Sequence, residues 1–258
     1  MGGVARTFLF IAVAAVAQPT IMDAQSTPAT GPGEVRIQLG NLLVDDQRYW
    51  EAIRVFDEAR DYATGEQRVR VASGMLKALL PVAEFTRAQI EAQVLSELAP
   101  EQPEALVLIA DALWAGGLFD EAEAVYRDVL TLDPESGDGR HGLAKSLATR
   151  QQFDEALDWL EAAFEVSPEV PAFHHTLGHI YQRMHRFSEA ADAYQRYVDL
   201  LPPLAQNQKA DWARSQVQFL RSFGSRPAVQ LSNPGQLHTI PFRLVRDKVM
   251  VRGRINGQ

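Results

Sequence analysis

The residues whose types invite chemistry are six histidines and 33 carboxylates, and the chain has no cysteine at all. That absence removes disulfides, thiolate metal sites and thiol nucleophiles together. Three histidines crowd at His174, His175 and His179, and the last two stand one helical turn apart, the spacing of a zinc pair on a helix. No glutamate completes a His-Glu-x-x-His pattern around them, so no metal site is expected. The acids Asp120, Glu121, Glu123, Asp154 and Glu155 open amphipathic stretches, where a carboxylate favours a helix start. They read as solvated helix ends rather than as a general acid and base. Gly137-Asp138-Gly139 lacks the lysine and the preceding strand of a phosphate loop. Neither a catalytic residue nor a cofactor is expected, which leaves binding as the function class and turns attention to the frame.

The frame repeats. FDEAEAVYRDVLTLDP at 119–134 returns as FDEALDWLEAAFEVSP at 153–168 and FSEAADAYQRYVDLLP at 187–202. Taking the small anchor of each copy gives Ala52, Ala88, Ala122, Ala156 and Ala190, at intervals of 36, 34, 34 and 34. Pro100, Pro134, Pro168 and Pro202 close the last four units, because proline cannot continue a helix. Within a unit, two apolar stripes at helical spacing follow one another, as in Glu104–Trp114 and Phe119–Leu130. A helix pair this short cannot bury its stripe alone, so neighbouring pairs must stack into a solenoid. The alanine anchors fall where second helix crosses first, and a larger side chain there costs about 1–3 kcal/mol by overpacking.

This pattern resembles the tetratricopeptide repeat. The best unit offers Leu177, Gly178, Tyr181, Ala190, Tyr194, Val198 and Pro202 at the family's positions; the third offers Ile109, Ala110, Leu113, Ala122, Tyr126, Val129 and Pro134. Leu143, Ala144, Leu147, Ala156, Leu160, Ala163 and Pro168 carry the fourth, and Leu39, Gly40, Leu43, Ala52, Phe56 and Ala59 the first. The second unit departs, with Leu76 at the small position and Pro81 set to truncate or kink its first helix. The resemblance implies an all-α, right-handed helical-repeat solenoid. Its expected divisions are a leader at 1–24, a linker at 25–33 and an array at 34–202, in units near 34–66, 69–102, 103–136, 137–170 and 171–203. A capping helix at 204–223, of the kind such arrays need, and a β-hairpin-like tail at 224–258 complete the chain.

In that family the first helices line a concave groove that receives extended peptides. Carried onto this sequence, the groove candidates are Val107, Asp111 and Trp114 of the third unit, His141 and Lys145 of the fourth, and His175, His179, Gln182 and Arg183 of the fifth. Cations and imidazoles beside a tryptophan suit an acidic or C-terminal segment of a protein partner. A solvated helix face accounts for the same residues without any ligand. The family's carboxylate clamp for chaperone tails is not assembled here.

Net charge is −8, unevenly spread, with 31 acids against 16 Lys and Arg up to residue 202, and 2 against 9 beyond it. The acidic body repels nucleic acid and anionic membrane alike. Arg6 precedes the apolar run Thr7–Ala17, which ends in small residues and is followed by polar, Pro-rich sequence; this is a signal-peptide layout, cleavable after Ala17 or Ala24. Eleven apolar residues fall short of the roughly 20 needed to span a bilayer. Export to a periplasmic or extracellular space is the expectation, with no stable membrane insertion after cleavage; an uncleaved N-terminal anchor is the alternative.

From His238 the period changes to apolar–polar alternation, with a turn at Arg246-Asp247-Lys248 and a hairpin dipeptide at Asn256-Gly257. The tail resembles the opening strands of a retropepsin-like aspartyl protease domain, which in bacterial relatives often follows tetratricopeptide repeats. That resemblance implies a substrate-presenting or regulatory arm whose catalytic part lies beyond Gln258. The sequence holds no Asp-Thr-Gly or Asp-Ser-Gly, so no catalytic aspartate is assigned; a small β tail docked on the cap is the simpler reading.

Overall fold

The computed structural model describes residues 31–201, 208–223, 242–245 and 248–251. The leader, most of the linker, Pro202 and the Asn256-Gly257 dipeptide lie outside them. Eleven α-helices are described: α1 Pro32–Asp45, α2 Tyr49–Arg60, α3 Glu66–Leu79, α4 Phe85–Leu98, α5 Pro103–Ala115, α6 Phe119–Leu132, α7 Gly137–Thr149, α8 Phe153–Val166, α9 Pro171–Arg183, α10 Phe187–Leu200 and α11 Gln208–Phe223. They form five consecutive pairs and one further helix, an all-helical repeat solenoid. Two strands, β1 Phe242–Val245 and β2 Lys248–Val251, pair antiparallel with Phe242 opposite Val251 and Val245 opposite Lys248.

Local sequence explains the helix ends. Pro32, Pro103 and Pro171 occupy the first turn of α1, α5 and α9, where the missing N–H costs nothing. Ser136 caps α7 by accepting from Gly139 N at 3.1 Å, the usual service of a serine in that place. Pro32 and Gly33, which composition places in the linker, are the first residues of α1. Glu66, at the end of the first expected unit, opens α3.

The two helices of every unit are joined by the same tight turn. Gln47, Ala83, Gly117, Gln151 and His185 occupy equivalent places, each with φ between 59° and 83°. The residue after each donates its N–H back across the turn, as in Arg48 N to Leu43 O at 2.8 Å and Leu118 N to Leu113 O at 2.9 Å. This is the six-residue closure that satisfies the last carbonyls of a helix through one left-handed residue. Only Gly117 is free of the Cβ penalty of that conformation, so four of the five turns hold it through the packing of the pairs they join.

The core follows the anchors. Ala52, Ala88, Ala122, Ala156 and Ala190 are all fully buried. Beside them, aromatic rings seat against glycine backbone. The Phe56 ring lies between Gly40 of its own unit and Gly74 of the next, and a methyl group on Gly40 would stand 2.6 Å from it. Tyr126 rests in the same way on Gly142 of the following unit, and Tyr194 on Gly178 of its own. The second unit departs from the kinked helix that Leu76 and Pro81 lead one to expect. Its first helix runs a full 14 residues to Leu79, and Pro81 sits in a separate 3-10 turn, Leu80–Val82. Gly74, two residues before Leu76, supplies the close approach.

Ion pairs tie successive units together at the surface. Arg70 of α3 binds Glu34 of α1, and Arg87 of α4 meets Asp57 of α2 at 2.5 Å. The Arg70 guanidinium holds the Glu34 carboxyl down to about 2. On α11, Ala213, Val217 and Leu220 are buried, and they close the open side of α10.

Candidate binding groove

First helices α5, α7 and α9, together with the end of α10 and with α11, enclose a groove of about 920 Å³. Of the sequence candidates, Trp114, His141, Lys145, His175 and His179 line it. Val107, Asp111, Gln182 and Arg183 do not. Val107 is half-buried on α5. Asp111 stands behind the wall as a partner of Lys145, Gln182 accepts from the Tyr194 hydroxyl at 3.1 Å, and Arg183 lies 5.7 Å over the Phe153 ring.

Lys145 is a committed cation. Its Nζ donates to Asp111 Oδ1 at 2.6 Å, and the Tyr126 hydroxyl donates to the same oxygen at 2.6 Å. The ammonium also stands 4.6 Å over the Trp114 ring, a favourable place for a cation. Burial, then the Asp111 charge, pushes the Tyr126 phenol well above its ordinary range. Burial and the same charge raise the Asp138 carboxyl.

Burial holds two imidazoles of the wall, His141 and His179, toward their neutral form. His141 Nε2 is 2.8 Å from Thr176 Oγ1 and its ring is 4.8 Å from Phe173. Desolvation, then the Lys145 charge, lowers its pKa to about 3. Burial, then Arg183, lowers His179 as well. His175 is set among three rings, Tyr194, Tyr197 and Trp212, at 5.8, 5.3 and 5.5 Å. His174 packs at 4.7 Å on Phe164, while the adjacent Phe173 takes the core. No group of three or more candidate metal ligands comes together among the described residues.

The lowered His141 pKa has a measurable consequence. The unfolded chain takes up a proton near 6.5 and the folded chain only near 3, so the unfolded state binds more protons between those values. Folding stability is therefore expected to fall as pH drops through that window. Urea midpoints measured from about pH 7 to about pH 4 should decline more steeply for the native chain than for His141→Asn. Equal slopes would place the imidazole in water.

Sequence reasoning missed Trp212, Tyr197 and Gln47, which also line the groove. Trp212 sits on the helix read only as a cap, and no register places its ring in the groove. Gln47 belongs to the turn between α1 and α2, and the nearby Tyr49 charge contributes to raising the Tyr197 phenol, after burial. No periodicity shows that the first unit reaches back to the last.

Helix pairs of constant length, closed turns and a groove lined by first helices define a helical-repeat solenoid. The profile described as tetratricopeptide repeat matches residues 82–137, 107–171 and 141–205, so the chain carries tetratricopeptide repeats and its fold is a solenoid of that kind. TTC0263, a thermophilic TPR protein of Thermus thermophilus, superposes with TM-score 0.62 at 18% identity, over 72% of this chain and 99% of that one. MamA from Desulfovibrio magneticus RS-1 gives TM-score 0.48 at 18% identity, over 67% of this chain and 97% of its own. A comparison with curated proteins gives no match. None of these findings supports the protease resemblance of the tail. No helix among the described residues is long and apolar enough to cross a membrane.

Proposed function

We propose that the chain is an exported scaffold that holds an extended segment of a protein partner in its groove. The supporting observation is the groove itself, about 920 Å³ in volume and walled by Trp114, Tyr197 and Trp212 with Lys145 on α7. Such a concavity, mostly apolar with a few placed polar groups, is the usual form of a binding site. The rings take apolar side chains of the segment. An acidic side chain of the segment competes with Asp111 for Lys145, whereas His141 and His179, lowered by burial, add hydrogen bonds rather than charge. Export rests on the Arg6 and Thr7–Ala17 leader; the mature chain recovered from the exported fraction is expected to begin at Gln18 or Gln25.

Titration with acidic peptides carrying one aromatic residue tests the groove, with tryptophan fluorescence as the readout because two tryptophans line it. Lys145→Ala is expected to weaken binding about tenfold, equivalent to about 1.4 kcal/mol. Arg183→Ala is expected to leave it unchanged, since that side chain lies on Phe153 outside the groove. Absence of a saturable signal, or an equal loss in both variants, would count against the groove.

A further inference from the structure

The junctions between successive units are not equally strong. Between the first and second, the Phe56 ring sits on Gly74, and Arg70, Arg87 and Arg60 cross to Glu34, Asp57 and Glu91. Between the third and fourth, Tyr126 sits on Gly142, and Lys145 and Arg150 cross to Asp111, Asp120 and Glu123. The second and third units have neither device, but α4 and α5 bury Ala92, Leu95, Ala105 and Ile109 in one core. The junction of the fourth and fifth is the weak one. Leu160 and Thr176 stand in place of ring and glycine. The ion pairs of these units, Arg140 to Glu135, Arg186 to Glu189 and Arg196 to Glu169, stay on one side of it, and none crosses it among the described residues. Helix α9 also meets α8 far more sparingly than α3, α5 and α7 meet the helices before them.

What remains there is a pivot and a latch. Phe173, buried at the start of α9, packs on Phe164 and His141 at 5.8 and 4.8 Å, and Ile180 continues the apolar contact. Less than one turn on from Phe173, Thr176 Oγ1 is 2.8 Å from His141 Nε2. At the far end of α9, Arg183 lies 5.7 Å over Phe153, close to the distance beyond which a cation and a ring no longer attract usefully. The helices after the junction hold together well, with Tyr194 on Gly178 and the rings of Phe187 and Phe223 4.9 Å apart.

We propose that the array bends at this junction, α9–α11 turning as one body on Phe173 against α1–α8, and that this motion opens and closes the groove. The groove walls divide along the same line. Trp114, His141 and Lys145 belong to the first body, and His175, Tyr197 and Trp212 to the second. Gln47, far along the first body, lines the same groove, so a turn at Phe173 changes its separation from Trp212. Two bodies closing around a ligand on a short hinge is a common switching arrangement. A segment that touches both walls holds them together, and the His141–Thr176 hydrogen bond favours the closed state before it arrives.

Because the chain lacks cysteine, paired spin labels can follow the two bodies. Asp46→Cys with Ser215→Cys spans the junction, and Asp46→Cys with Glu161→Cys lies within α1–α8; all three residues are exposed. Pulsed electron paramagnetic resonance without peptide is expected to give a broader distance distribution for the spanning pair than for the control. Thr176→Val keeps the side-chain shape and deletes the hydroxyl. It is expected to broaden the spanning distribution further and to weaken the acidic aromatic peptide about fivefold, through a smaller closed fraction. Leu160→Tyr with Thr176→Gly copies the seat of Tyr126 on Gly142 and is expected to narrow the distribution to that of the control. A spanning pair as narrow as the control, or one that neither variant changes, overturns the proposal. The effect on binding rests on the groove's holding a peptide; the width comparison uses no ligand, so it decides the hinge even where that reading fails.

Discussion

Replacing Tyr126 by alanine is expected to lower the unfolding free energy by about 3–5 kcal/mol, the cost of emptying a fully packed aromatic site. The ring is completely buried and rests on Gly142 of the next unit, so its loss opens a void at a junction rather than inside one pair. A helix backbone cannot collapse into that void without parting α7 from α6. The hydroxyl adds a smaller part: Tyr126→Phe should cost about 1 kcal/mol, the net value of one hydrogen bond, and leave Asp111 bound to Lys145. Denaturant unfolding of the two variants separates ring from hydroxyl. If Tyr126→Ala cost no more than Tyr126→Phe, the ring would not be the closure of that junction. The alanine variant should also weaken peptide binding, since Lys145 stands 5.6 Å from the same ring.

Arg60→Ala is expected to cost about 3 kcal/mol, because it strands a buried carboxylate. The Glu91 side chain is 4% exposed, and the Arg60 guanidinium of α2 binds its Oε1. The second oxygen has no partner among the described residues. Arg60 itself is 39% exposed, which places the loss at the lower end of what a wholly buried pair would show. Introducing Glu91→Gln beside Arg60→Ala should restore most of the stability, and a double-mutant cycle by urea unfolding measures the coupling. A single variant within about 0.5 kcal/mol of wild type, the range of an ordinary surface change, would mean that water reaches Glu91.

The helix pairs are legible in the sequence because the signal recurs. One alanine at a fixed interval is weak evidence, but five force a common crossing, and all five are buried. The groove is half legible. Trp114, His141 and Lys145 fall on first helices at inward places that register alone predicts. Arg183 and Gln182 fall where register also predicts an inward place, yet each is turned to a nearer ring or hydroxyl. The second unit misleads because register puts its small position at Leu76, whereas the close approach belongs to Gly74 and depends on Phe56 in another unit. Charge is the least legible property: three histidines and a lysine look cationic in sequence, but desolvation lowers His141, His174 and His179 and Asp111 engages Lys145.

The seating of one unit's ring in the next unit's backbone limits how such a gene can grow. Phe56 meets Gly74 and Tyr126 meets Gly142; by the same numbering, the intervening junction sets small Ala92 opposite bulky Leu108. A tandem duplication of the third unit would bring the copied Tyr126 onto Leu108 instead of a glycine. Modules that look interchangeable by motif are thus ordered by volume, and lengthening the protein would require a paired change at each new seam.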